Sequence, residues 1–299
     1  MMANRHFGNI ADVWKHAALM EVLSSQPPSR YAESHAGSAD YQIIETAEKE
    51  FGILRFLQLA PGSPVLARSA YLATVTPFAR ATPAVYPGSA LQAMTLLGDR
   101  CCYLLCDLDP ESAAGLRRRA AGVGLHRCDV AERDGMTAVA DWLAHPVPGA
   151  AGTTVVHIDP FDPHASAPQG LSALALAAQV AGTGAGLAYW YGFDEPAESA
   201  WAFRELADRT RAGLWCGDIM VTDADGGGRP GDLGRASTPG TGSGMVLANV
   251  APGTVAACAA LGRALAEAYT GVRLPDGTQG SLVFTVHQRP TRAGHTVPA

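Results

Sequence analysis

A chain of 299 residues that is 47% hydrophobic can bury a substantial core, and its length suits one large α/β domain or two small ones. A formal charge of -6, from 22 Lys and Arg against 28 Asp and Glu, speaks against affinity that rests on releasing counterions from nucleic-acid phosphates. No uninterrupted apolar stretch approaches membrane-spanning length and residues 1–6 lead into an amphipathic segment, so a cytoplasmic protein with no membrane partner is expected.

In chain order, Ile10, Val13, Ala17, Met20 and Leu23 recur at helical spacing from Ile10 to Ser24, and Pro27-Pro28 ends that helix. Tyr31-Ala32-Glu33-Ser34-His35 reads as a short strand closed by Ala36-Gly37-Ser38. A helical pattern broken by Pro61-Gly62-Ser63-Pro64 then predicts a small helical insertion over residues 43–84. After Tyr86-Pro87-Gly88-Ser89 comes a helix, then strands at Cys102–Cys106, near Leu125–Cys128, at Thr154–Ile158 and at Gly186–Tyr191, with helical stretches between them. That alternation implies one α/β domain over residues 1–299 with a doubly wound, mainly parallel sheet. Asp223 to Gly244 reads as a long loop, Met245–Val250 as a further strand, and residues 288–299 as a loose tail.

The chemistry-bearing residues cluster at strand ends. Asp159-Pro160-Phe161-Asp162 follows the apolar run Thr154–Ile158, so an acidic residue stands where a buried strand emerges, the place where such folds do chemistry. Asp107 ends the strand before it and can offer two acceptor oxygens to a ribose, while Asp109-Pro110 more simply caps the next helix. Asp129 follows the strand ending at Cys128 and is the candidate for an adenine amine, with Asp134 as the alternative. Arg5 and His6 supply a guanidinium fork and a titratable group suited to binding and deprotonating a small acidic or hydroxylated molecule. His157 and His164, with Tyr189-Trp190-Tyr191, belong near the same pocket. His157 on a buried strand is more simply a satisfied core histidine, and the histidines lack metal-ligand spacing. Six cysteines without a CxxC pair fit neither disulfides nor zinc, so no metal is expected. Arg117-Arg118-Arg119 reads as the solvated face of a helix ending before Gly122.

Five segments, taken together, resemble the RlmJ-type methyltransferases that modify adenine in large-subunit ribosomal RNA: Asn4-Arg5-His6 with Gly8 to His16, Ser34-His35-Ala36-Gly37, Tyr86-Pro87-Gly88-Ser89, Asp159-Pro160, and Gly242-Ser243-Gly244-Met245. The resemblance implies a Rossmann-like class I methyltransferase sheet with S-adenosyl-L-methionine as cofactor. It implies that the first helix lies over the cofactor, that Lys15 and His16 reach its carboxylate, and that His35 and Ser89 lie against its methionine end. In that family a tyrosine precedes the Arg-His pair and an aromatic completes Asp-Pro-Pro-aromatic; here those places hold Asn4 and Asp162. Loss of a stacking surface worth about 1–3 kcal/mol per base, together with the acidic charge, shifts the expected acceptor to a small polar metabolite, with O-methylation of a carboxylic or hydroxy acid the leading case. Asp159, His6 and Arg5 are the expected catalytic residues, and Asn4, Phe161, Asp162, His164 and Tyr191 the expected acceptor-binding ones. Adenine in ribosomal RNA is the alternative acceptor, and a non-catalytic binding protein on the same fold is a third reading.

Overall fold

Asn9 opens the first helix, α1 (Ile10–Ser25): its side chain accepts from the Asp12 N–H at 2.9 Å, and the Asp12 carboxylate accepts in turn from Gly8 N at 2.7 Å. Such a cap contributes about 1 kcal/mol. The helix is buried on nearly every face, Lys15 and His16 included, so it is a core element rather than an amphipathic surface one. The computed structural model describes residues 6–145, 153–162, 166–167, 170–223, 241–273, 277 and 279–291.

All four residues of β1 (Arg30–Glu33) are buried. The short strands β2 (Asp40–Gln42) and β3 (Val85–Pro87) pair antiparallel with each other, away from the main sheet. Between them lie α2 (Ala47–Phe51), α3 (Ile53–Leu59) and α4 (Ala70–Ala79), with two 3-10 turns where the proline-rich break is expected. The chain then alternates through α5 (Ser89–Leu97), β4 (Cys102–Cys106), α6 (Pro110–Gly122), β5 (Cys128–Ala131), α7 (Gly135–Ala144), β6 (Thr154–Ile158), α8 (Ala173–Gly182), β7 (Gly186–Phe193) and α9 (Trp201–Arg209).

Strands β5, β4, β1, β6 and β7 lie side by side in that order, all parallel. The chain builds outward from β1 through β4 to β5, then returns to the far side of β1 with β6. The order therefore reverses between β1 and β6, which is the switch point where doubly wound folds open a crevice at the carboxyl ends of their strands. The doubly wound α/β sheet expected from the alternation is the architecture the chain adopts.

Four antiparallel strands extend this sheet past β7: β9 (Gly242–Ala248), β8 (Leu214–Asp223), β11 (Gln279–Arg289) and the short β10 (Val272–Arg273), with α10 (Thr254–Ala268) packed on them. The sequence predicts neither β8 nor β11, yet they pair over ten residues, from Gly280 opposite Asp223 to Arg289 opposite Leu214. Gly217 and Asp218 interrupt the apolar alternation of β8 for tertiary reasons. A Cβ on Gly217 would lie 2.8 Å from the Trp14 ring, whose indole N–H donates to Gly217 O at 3.0 Å. Asp218, 2% exposed, accepts from Tyr191 Oη, Ser199 Oγ and Ala200 N at 2.6–2.7 Å. β9 begins inside the loop expected over 223–244, most of which lies outside the described residues, as do residues 292–299 of the expected tail.

One more boundary differs. β5 starts at Cys128 rather than ending there, because Gly124, at φ +73, turns the chain out of α6 and residues 125–127 complete the turn. Two cores flank the sheet: α1, α4, α5 and α10 cover one face around Trp14, Leu19 and Leu265, and α7, α8 and α9 cover the other around Val139, Leu176 and Leu206. All six cysteines are free thiols.

Candidate functional site

At the switch point a cavity of about 740 Å³ opens over the carboxyl ends of β1, β4 and β6, roofed by the first turns of α1. Its volume falls within the ~300–1,000 Å³ usual for small-molecule sites. The turn after β1, Ser34 to Gly37, forms one wall and is tied down on both sides. Ser34 N donates to His157 O of β6 at 3.2 Å, and Ala36 N donates to Cys106 O of β4 at 2.8 Å. Gly37 takes φ +61, and its N–H donates to Asp107 Oδ2 at 2.8 Å. The start of α7 packs so closely beneath that a Cβ on Gly135 would lie 1.8 Å from Ser34 O.

Asp107 borders the cavity, and each of its oxygens already accepts a backbone N–H, one from Gly37 and one from Asp109 at 2.8 Å. Its first task is to brace the β1 turn, with one lone pair on each oxygen left for a ligand hydroxyl. Asp109 N-caps α6 through Ser112 N and Oγ, as the sequence suggests. Asp129 is a correction: it lies within β5, exposed and outside the cavity, because the strand starts at residue 128. Asp134, the alternative, lines the cavity and N-caps α7 through Thr137 N at 2.8 Å.

The centre of the site is an ion triad. Lys15 Nζ lies 2.8 Å from Asp12 and 2.7 Å from Asp159, and 5.3 Å from the centre of the Trp190 ring. Burial opposes the charge on Lys15, but the two carboxylates outweigh it and hold the ammonium above its ordinary range. For Asp159 burial pushes the other way, yet Lys15 keeps its carboxyl below the usual range. The resemblance implies that Lys15 and His16 meet a cofactor carboxylate, but Lys15 already has two. His16 Nδ1 meets Tyr86 Oη at 2.6 Å and Gln92 Nε2 at 3.0 Å, and burial pushes its pKa down to about 3, so it lines the cavity as a neutral ring.

His35 lines the cavity with its Nδ1 2.8 Å from Ser34 Oγ, its pKa lowered by burial. Ser89, the first residue of α5, also lines it, and its hydroxyl donates to Glu33 Oε2 at 2.9 Å. Half-exposed His6 stands at the rim, its Nδ1 2.7 Å from Glu48. Phe161 stands at the mouth, 81% exposed, and Asp162 lies outside the lining. Tyr191 is a second correction. Successive strand residues face opposite ways, so Trp190 reaches the cavity while Tyr191 points into the other core and donates to Asp218. His157 is only half satisfied: Nδ1 donates to Ala188 O at 3.0 Å, Nε2 has no partner among the described residues, and burial lowers its pKa to about 4. Asn4, Arg5 and His164 lie outside the described residues.

Sequence reasoning passes over two groups. Asp12 sits one helical turn before Lys15, a spacing that could have revealed the ion pair. Glu33, 0% exposed, shares a strand face with Tyr31, whose hydroxyl donates to it, and burial pushes its carboxyl up to about 8. Only a charged residue inside a strand pointed to it. Five carboxylates, of Asp12, Asp107, Asp109, Asp134 and Asp159, face two cations, Lys15 and Arg133, so the described lining carries an excess of negative charge.

No protein-family model and no curated protein matches the chain. Among solved structures, protein LPL1258 from Legionella pneumophila, under the family model DUF519, superposes with a TM-score of 0.69 at 17% identity, covering 94% of this chain and 98% of that one. A cofactor-bound protein from MTB, Rv0187, has a TM-score of 0.34 at 13% identity, covering 84% of this chain and 85% of its own. A probable spermidine synthase from Corynebacterium glutamicum also has a TM-score of 0.34, at 12% identity, covering 81% and 75%. The last two superpositions are too poor to argue from; the first is a likeness of fold over nearly the whole length of both chains.

Proposed function

We propose that this chain is an S-adenosylmethionine-dependent methyltransferase acting on a small polar acceptor. The observation that carries the reading is the joining of a cavity at the β1/β6 switch point with an excess of carboxylates and with Asp159 at the end of β6. A ligand carrying a sulfonium and an ammonium is cationic overall, and this lining suits it. The cavity also has room for an acceptor beside such a ligand. When bound, the cofactor supplies an electrophilic methyl group on sulfur.

The residues of the chain do the rest. Asp107 and Asp134 border the cavity with acceptor oxygens suited to a nucleoside's hydroxyls and amine. Lys15 holds Asp159 ionised and fixed in direction through one oxygen. The other oxygen of Asp159 can accept a hydrogen bond from the acceptor and orient its lone pair. The excess of carboxylates favours an amine or a neutral hydroxyl over the carboxylic acid expected from the sequence. Exposed Phe161 supports a second reading, because a bare ring at the cavity mouth is a stacking surface for a planar acceptor such as adenine.

Calorimetry with S-adenosylhomocysteine and transfer of labelled methyl into amines, hydroxy acids, nucleosides and unmodified ribosomal RNA test both readings. Saturable binding with labelling of a small molecule, abolished by Asp159→Asn, is the expected result. Labelling of RNA alone would establish the second reading, and failure to bind the product cofactor would refute both.

A further inference from the structure

Glu33 is fully buried beneath the cavity, between two hydroxyls that both donate to it, Tyr31 Oη to Oε1 and Ser89 Oγ to Oε2. We infer that Glu33 is a positioning residue that turns the Ser89 hydroxyl proton downward, so that Ser89 presents only lone pairs to the cavity and receives a ligand's primary ammonium. The inference rests on the proposed methyltransferase reading, in which the amino-acid part of the cofactor supplies that ammonium.

A serine hydroxyl has one proton and two lone pairs, so donation to Glu33 leaves it an acceptor toward any second partner. Without Glu33 the proton could swing into the cavity, where it would oppose a cation and suit an anion. The N-terminus of α5 by itself favours an anion at Ser89; a carboxylate directly beneath offsets that preference. The other groups around Glu33 are Asp159 and Lys15, which act on it through space in opposite senses, and His157, its register partner on β6. Burial favours the neutral acid of Glu33. An ammonium held on Ser89 favours the carboxylate, because it requires the serine proton to stay on the Glu33 side.

The test uses the full chain and two probes, S-adenosylhomocysteine and 5′-methylthioadenosine, which lacks the amino-acid part. Glu33→Gln keeps the shape, but its single carbonyl oxygen cannot accept from both hydroxyls. It should weaken S-adenosylhomocysteine roughly tenfold and leave 5′-methylthioadenosine unchanged. Ser89→Ala should do the same, and adding Glu33→Gln to it should cost nothing further, since one acts through the other. The inference is overturned if Glu33→Gln binds S-adenosylhomocysteine as the parent does, weakens both probes equally, or adds its full loss to that of Ser89→Ala. Should Glu33→Gln not fold, equal loss of both probes in Ser89→Ala overturns it. A parent that binds neither probe would instead refute the methyltransferase reading itself.

Discussion

Lys15→Met removes the cation that, among the described residues, bridges Asp12 and Asp159. The three side chains are only 10%, 13% and 18% exposed, so solvent screens them weakly. With contacts of 2.8 and 2.7 Å to the missing ammonium, the two carboxylates would stand at most about 5.5 Å apart; at an effective dielectric of about 20 their repulsion is about 3 kcal/mol. Breaking a buried pair by deleting one partner typically costs about 3–5 kcal/mol, and two estimates of the same size set the expected loss at about 3 kcal/mol near pH 7.5. The loss should shrink in acid for two reasons. In the parent, Asp159 has a depressed pKa, so its contribution is present above the unfolded value and fades as pH falls through the folded one. In the variant, repulsion raises one carboxyl above its unfolded value, so the penalty is relieved as that group takes up a proton. Urea unfolding at about pH 7.5 and about pH 4.5 measures the second effect, because pH 4.5 still lies above the ordinary value of Asp159 and the first acts only below it; Lys15→Met with Asp12→Asn should recover part of the loss at the higher pH. A variant as stable as the parent, or a loss equal at the two pH values, would refute the triad as the organising charge of the site.

Other outcomes follow from single observations. His16 and His157 are buried with pKa values lowered to about 3 and about 4, so the stability they contribute is present above about pH 6.5 and lost as pH falls toward those values. Calorimetric Tm should drop across that window, and His157→Gln should lessen the slope by up to about 1.4 kcal/mol per pH unit; a parallel slope would contradict the assignment. Gly135→Ala places a Cβ 1.8 Å from Ser34 O, so it should destabilise the fold by more than about 2 kcal/mol and weaken binding of S-adenosylhomocysteine by displacing the β1 turn, whereas unchanged binding would mean that α7 does not support that wall. Asp218→Ala strands the Tyr191 and Ser199 hydroxyls and the Ala200 N–H, for about 2–4 kcal/mol by urea unfolding, with cofactor affinity intact in the folded fraction. Trp190→Phe leaves a smaller ring in a buried place beside Lys15 but also removes an indole N–H that has no partner among the described residues, so urea unfolding should show a loss of only about 1 kcal/mol, and a loss above about 3 kcal/mol would contradict the unpaired N–H.

Local patterning along the chain was enough to specify the parallel half of the sheet and the strand ends that carry Asp107 and Asp159. Short apolar runs between helical stretches are a local signal, and the residue after each run must emerge at the crevice. It also carried the helical pattern of α1 and the Asn9-to-Asp12 start, both local in the chain. Tertiary structure decided what depends on distant partners. β8 and β11 exist as strands because each supplies the other's hydrogen bonds from more than fifty residues away, with Gly217 and Asp218 set by Trp14, Tyr191 and Ser199 rather than by strand propensity. A shift of a few residues in β5 was enough to move Asp129 out of the site, and strand alternation placed Trp190 rather than Tyr191 at the cavity. Whether Lys15 is a free cation or the middle of a triad depends on Asp159, 144 residues away, and the burial that keeps His16 neutral is set by packing, which sequence spacing does not encode.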